Sequence, residues 1–203
     1  MTPELAALAV HDLKNALGVL EGQLLALEAN PRADGARLAR LQCEQMRREL
    51  VAFLTLYRDE GLRAIVEDES PQALVQHLAT SIQRAAPQLQ TRVGACAEVP
   101  PFWYFDVRLV RLALDAALHN ACRYARSVVT LDAALRDGYL VLSVEDDGPG
   151  LAASAGAGDA WSTGLGTELC RAVARAHRVG SREGSVQLFD RPQGGARFEL
   201  VLP

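Results

Sequence analysis

Apolar residues recur along the first 57 positions at alternating steps of four and three. One series runs through Ala6, Val10, Leu13, Leu17, Leu20, Leu24 and Leu27, and a second through Ala39, Cys43, Met46, Leu50, Phe53 and Tyr57. That repeat is the seam of helices packed lengthwise against others. Between the two series, the run from Asn30 to Gly35 carries Pro31 and Gly35 as helix breakers. The pattern predicts a long helical hairpin whose first helix ends near Ala29. One hairpin leaves part of two such stripes uncovered, so two copies are expected to pair as a four-helix bundle in a homodimer.

The helical repeat stops at the acidic segment Glu67-Asp68-Glu69-Ser70-Pro71, which predicts a boundary between residues 1–66 and 67–203. Beyond it the pattern mixes periods. Ser70 or Pro71 starts an amphipathic helix through about Ala85. A strand is expected at 90–94, a helix from about Val107 to Arg123, and strands at 127–135 and 139–145. A Gly/Ala/Ser-rich loop follows, then a helix from about Gly164 to His177 and two strands at 184–190 and 195–202. Gln193-Gly194-Gly195 between them is hairpin chemistry. The fold class is therefore α+β: a helical hairpin followed by an α/β sandwich, one mostly antiparallel sheet covered by helices. Within it, the run VPPFWYF at 99–105 is expected to bury Trp103 and Phe105.

Composition narrows the function. Of 203 residues, 49% are hydrophobic and the formal net charge is -4, which fits a globular protein and opposes a nucleic-acid binder that neutralises phosphates. The four cysteines are far apart, without CxxC spacing, and predict free thiols rather than a zinc site or a disulfide framework. No stretch has the length of a membrane span and the first residues lack a signal peptide's pattern. A cytoplasmic protein without membrane insertion is expected. Because the chain opens almost directly onto a polar cluster, any sensing element is expected either to come from a separate input protein or to lie outside this sequence.

That cluster is HDLKN, residues 11–15, which crowds an imidazole, a carboxylate, the only lysine of the chain and a carboxamide into little more than one turn. His11 sits one position past Val10, on the rim of the seam, and Asn15 lies one turn further on the same face. The helix LALDAALHNACRYA, residues 112–125, ends with Asn120, Arg123 and Tyr124. An amide oxygen can ligate Mg²⁺, a guanidinium can hold phosphate and a phenol ring can cover an adenine. VEDDGPG, residues 144–150, follows a predicted strand and carries Asp146, Gly148 and Gly150 at D-x-G-x-G spacing; STGLGT, residues 162–167, sets Gly164, Leu165 and Gly166 at a helix start. Glycine lets backbone N–H groups approach an anion there, and the helix dipole favours it. Each segment alone is also compatible with ordinary turns or surface helices.

In this order, the four segments resemble the H, N and two glycine boxes of the bacterial sensor histidine kinases. The closing GSVQLFDRPQGGARFELVLP resembles that family's final hairpin, and Asp106 precedes Asn120 by a familiar interval. The resemblance implies a Bergerat-type ATP-binding domain of the histidine kinase/Hsp90-like type, with ATP and Mg²⁺ as cofactors. It implies that His11 is phosphorylated while Asp12 accepts or orients its ring proton, and that Asn15 orients water for dephosphorylating a partner. Asn120 would hold Mg²⁺, Asp146 would accept from the adenine amino group, Gly148 and Gly150 would shape the adenine edge, and Gly164 and Gly166, with Leu165 between them, would cradle phosphates. The partner implied is a response-regulator receiver domain. HDLKN lacks the proline that commonly follows the H box, Ala116 stands where many relatives have Asn or Glu, Ser162 replaces a glycine, and the loop LAASAGAGDAW is short. Two rival readings remain: a histidine phosphotransferase hub that does not use ATP, and a non-catalytic nucleotide-binding scaffold. His177, near a helix end, is expected to serve as a cation against the dipole.

Overall fold

The computed structural model describes residues 3–57, 62–96, 99–151 and 165–203. The chain divides into two compact units, residues 1–60 with 160–169, and residues 61–159 with 170–203. No helix among the described residues is long and apolar enough to cross a membrane.

In the first unit, α1 (Pro3–Ala29) and α2 (Ala33–Tyr57) form the hairpin. The apolar repeat proves to be two flanks rather than one seam. Leu13, Leu20, Leu27, Met46 and Phe53 are half-buried, and the small residues Ala9, Ala16, Ala39 and Ala52 are buried. The alternate members Val10, Leu17, Leu24, Cys43, Leu50 and Tyr57 stay exposed. Alanine at the inner positions lets two helix backbones approach closely, while the leucines one position away are left pointing outward.

The second unit is built on a five-stranded sheet. In chain order its elements are β1 (Glu67–Glu69), α3 (Pro71–Ala85), β2 (Gln90–Val93), β3 (Trp103–Phe105), α4 (Val107–Tyr124), β4 (Val128–Arg136) and β5 (Tyr139–Asp146). Then come α5 (Leu165–Ala176), of which the residues from Cys170 onward fall in this unit, β6 (Arg178–Val179), β7 (Arg182–Glu183), β8 (Ser185–Asp190) and β9 (Ala196–Leu202). Strand order is β2-β4-β5-β9-β8, with β2 parallel to β4 and every other neighbour antiparallel. Register sorts the two faces. Leu131, Val144 and Phe198 form one cross-strand row and Ala133, Leu142 and Leu200 the next, all buried beneath the helices. The opposite face alternates into Thr130, Glu145 and Arg197 and into Asp132, Ser143 and Glu199. Charge on that face is paired: Glu199 lies between Arg136 at 2.5 Å and Arg197 at 2.8 Å, and Arg197 also meets Glu145.

Local chemistry starts α3 and α4. Ser70 accepts from the Ala73 N–H at 3.3 Å with Pro71 in the first turn, and Asp106 accepts from the N–H groups of Arg108 and Leu109 at 3.0 and 3.2 Å. The acidic segment expected only as a boundary is itself β1, paired antiparallel with β3. Of VPPFWYF, Phe105 is fully buried, but Trp103 is only half-buried, its Nε1 donating to the Pro203 carbonyl at 3.1 Å; Phe102 and Tyr104 are exposed. Alternation along the strand turns Tyr104 outward, opposite to Trp103 and Phe105. The cysteines are all free, and burial pushes the Cys170 thiol up to about 12.

His177 corrects the expectation of a helix-end cation. Its ring is buried, Nδ1 donates to the Val173 carbonyl at 2.7 Å and Nε2 accepts from the Asp106 backbone N–H at 3.0 Å. Acceptance at Nε2 requires the neutral ring, and burial holds its pKa below the ordinary value despite the pull of Val173 and Asp106. A histidine with a depressed folded pKa stabilises the fold above its unfolded pKa of about 6.5, and that contribution is lost as pH falls through the folded value. Urea unfolding midpoints are expected to drop between pH 7.5 and pH 5 in wild type. His177→Gln should be less stable at pH 7.5 and should lose part of the slope; an unchanged slope would remove His177 as its source.

Candidate functional site

The hairpin presents the HDLKN side chains on α1. His11 is exposed, with Asp12 half-buried beside it and Asn15 exposed one turn on. The Nδ1 of His11 lies 3.4 Å from Asp12 Oδ1 and 3.2 Å from Asn15 Nδ2. That nitrogen serves one neighbour at a time: as N–H it donates to the carboxylate, and as a lone pair it accepts from the amide. Among the described residues nothing engages Nε2. The helix thus offers a ring nitrogen to solvent and places a proton acceptor behind the other.

A second group of predicted residues gathers in the α/β unit, where α4 ends and β5 runs out. The buried face of α4 is Val110, Ala113, Leu114, Ala117, Leu118 and Ala121, at steps of three and one. This leaves Asn120 and Arg123 exposed and Tyr124 half-buried at the helix end, with the Arg123 guanidinium 5.5 Å from the Tyr124 ring centroid. The turn after β5 is held against that end. A Cβ on Gly148 would fall 2.4 Å from the Tyr124 carbonyl oxygen, so the close approach needs glycine. Gly150 has a φ of 88°, and a Cβ there would meet Asp190 Oδ1 at 2.5 Å.

Asp146 is buried, and its Oδ1 accepts from the Gly148 N–H at 2.8 Å and faces the Ala196 N–H at 3.4 Å. Its orientation is therefore fixed through one oxygen. Among the described residues no donor takes Oδ2. A buried carboxylate held through one oxygen can accept an N–H group at the other.

Three positioning residues escaped sequence reasoning. Asp147 accepts from the backbone N–H groups of Arg126, Ser127 and Val128 at 2.8 to 3.0 Å and from the Ser127 hydroxyl at 2.6 Å, tying the turn to the α4–β4 connection. Burial would raise its pKa, but those donors hold it far below the usual carboxylate range. Asp190 accepts from the Leu151 N–H at 2.6 Å, and Arg191 donates to the Asp146 carbonyl at 2.7 Å. The Asp-Asp-Gly run was a turn signal for Asp147; nothing local marked Asp190 or Arg191.

Of the second glycine segment, Gly164 lies outside the described residues, as do Ser162 and the loop before it. Leu165, buried, and Gly166, half-buried, open α5. No cluster of three or more His, Cys, Asp or Glu side chains suited to a metal occurs among the described residues. A divalent ion at Asn120 would therefore rely on that one amide oxygen and on ligand oxygens, a donor set that suits Mg²⁺ on phosphates.

Residues 105–203 match the model of the histidine kinase-, DNA gyrase B-, and HSP90-like ATPase family. The sensor protein KdpD of Escherichia coli K12 is 28% identical over 220 aligned positions, covering 98% of this chain and 24% of KdpD. The sensor protein RstB of the same organism is 28% identical over 95% of this chain and 47% of its own length. The chain thus spans about a quarter and about half of these two curated relatives. Among solved structures, the Acinetobacter baumannii histidine kinase AdeS superposes with a TM-score of 0.68 at 21% identity, over 95% of this chain and 96% of that one, and shares the fold.

Proposed function

Residues 105–203 belong to the ATPase family of histidine kinases, DNA gyrase B and HSP90, the chain is homologous to sensor histidine kinases, and on that premise we propose a protein-histidine kinase acting on His11. The observation that carries the reading is the pairing at His11: an exposed Nε2 with Asp12 3.4 Å from the opposite nitrogen. Nε2 attacks the γ-phosphorus of ATP, the bond from that phosphorus to the bridging oxygen breaks, ADP leaves, and the Nδ1 proton passes toward Asp12.

Asp146 accepts from the adenine amino group, Gly148 and Gly150 keep the purine edge open, and Arg123 and Tyr124 flank the nucleotide. Leu165 and Gly166 offer main-chain N–H groups to phosphate at the start of α5. Bound Mg²⁺, held by the Asn120 amide oxygen, would neutralise phosphate charge. The protein's own contribution is positioning and charge. Asn15 orients water for removing phosphoryl from a receiver aspartate, which also takes the group from His11. Val10, Leu17 and Leu24, 46–54% exposed, and Leu50 and Tyr57 on α2 are covered by a second copy in a four-helix bundle.

The test is incubation of the chain with γ-labelled ATP and Mg²⁺, followed by a phosphorylatable receiver. Label retained at about one per chain or per dimer, chased onto the receiver, and a light-scattering mass of twice the chain support the reading. Label accepted only from a phosphorylated receiver would instead favour the ATP-independent hub, and nucleotide binding without label the scaffold. Unchanged receiver dephosphorylation in Asn15→Ala would remove the role given to that residue.

A further inference from the structure

We propose that Arg191 is a positioning residue for Asp146 and thereby sets which purine the site accepts, an inference resting on the nucleotide-binding reading above. The β5–β9 ladder ends at Glu145 opposite Arg197. One residue later Asp146, still paired with Val129 of β4, has no partner on β9, and on that side the Arg191 guanidinium takes its carbonyl: Nη1 donates to that oxygen at 2.7 Å while Nη2 lies 3.1 Å from Glu145 Oε2. A planar fork spanning a main-chain carbonyl and the preceding carboxylate fixes both position and rotation of the strand end.

Arg191 is itself held by its turn. Its N–H donates to the Gly195 carbonyl at 2.9 Å, and its carbonyl accepts from the Gly194 N–H at 3.0 Å. Both glycines have φ near 90°, and a Cβ on Gly195 would fall 2.0 Å from the Asp146 carbonyl. The β8–β9 turn therefore lies directly on the main chain of the purine-reading residue. Asp190, accepting from the Leu151 N–H at 2.6 Å, grips the far end of the Gly148–Gly150 turn that follows Asp146. The charge network continues away from the site through Glu145 and Arg197 to Glu199 and Arg136.

A brace that only stabilises the fold would affect all purines alike. A brace that sets the Asp146 carboxylate changes the ratio between a purine with an amino group at C6 and one with a carbonyl there. The experiment is calorimetric titration of the whole chain with ATP and with GTP, for wild type, Arg191→Ala, Arg191→Lys and Arg136→Ala, with unfolding midpoints measured alongside. Arg191→Ala is expected to shrink the ATP-over-GTP affinity ratio by about tenfold, the scale of a misplacement well under 1 Å. Arg191→Lys, which carries charge without the fork, should fall between, and it decides the matter if the alanine variant does not fold. Arg136→Ala, at the other end of the network, should keep the wild-type ratio within about twofold while losing stability. A wild-type preference for ATP that survives intact in both Arg191 variants overturns this inference alone. A wild type that binds neither nucleotide overturns the proposed function and this inference with it.

Discussion

Retention of label from γ-labelled ATP is expected to fall by roughly a thousandfold or more when His11 is replaced by Gln, because the nucleophile and not a supporting group is lost. The other three histidines make poor substitutes. His177 is buried with both ring nitrogens engaged, His119 is half-buried on α4, and His77 stands exposed on α3, where its carboxylate neighbour is Asp115 of α4 rather than the residue next to it in sequence as for His11. Phosphohistidine is labile in acid and stable in base, so treating the labelled chain at both extremes identifies the bond. Asp12→Asn in the same assay should cost about a hundredfold, the usual worth of a positioned proton acceptor. Asn15 refines that expectation. Its amide competes for the same Nδ1, at 3.2 Å against 3.4 Å for the carboxylate. Whenever the amide donates there, the ring proton sits on Nε2 and the outward nitrogen is no nucleophile. Undiminished label in His11→Gln would end the reading.

Much of the fold was legible because its signals are local. The steps of four and three in α1 and α2, the Ser70-Pro71 start of α3 and the glycines between β8 and β9 each act within a few residues. What escaped depends on partners distant in sequence. The repeat could not reveal that Ala9 and Ala16 would take the inner contact of the hairpin and leave Val10 and Leu17 outside, since that depends on which flank the neighbouring helix meets. Glu67–Glu69 forms a strand only because Trp103–Phe105 lies beside it. The parallel pairing of β2 with β4 likewise has no mark in either segment. His177 looked like a cation at a helix end until the Asp106 N–H, 71 positions away, arrived at its Nε2. The candidate site divides in the same way. Asp146, Gly148 and Gly150 stand in one turn with recognisable chemistry, whereas Asp190 and Arg191 reach that turn through contacts 39 and 45 residues apart in sequence.

The second large effect is expected at Asp146. Replacing it with Asn preserves shape and keeps an amide oxygen for the Gly148 N–H, now at 2.8 Å from Oδ1. The change falls on the other atom: the Oδ2 acceptor becomes an NH₂ donor. Facing the amino group of adenine, donor meets donor, and a buried N–H on each side loses its partner. Such a mismatch costs about 2–4 kcal/mol, so ATP affinity should fall by roughly 30- to 800-fold. The same amide suits the C6 carbonyl of guanine, and GTP should bind the variant better than it binds wild type. Paired titrations with ATP and GTP check this, and a modest change in unfolding midpoint is the accompanying expectation. The reversal separates recognition from collapse, because a damaged turn would weaken both nucleotides. Asp146→Asn that keeps wild-type affinity for ATP would mean that this carboxylate faces something other than the base, and that the glycine turn serves the fold alone.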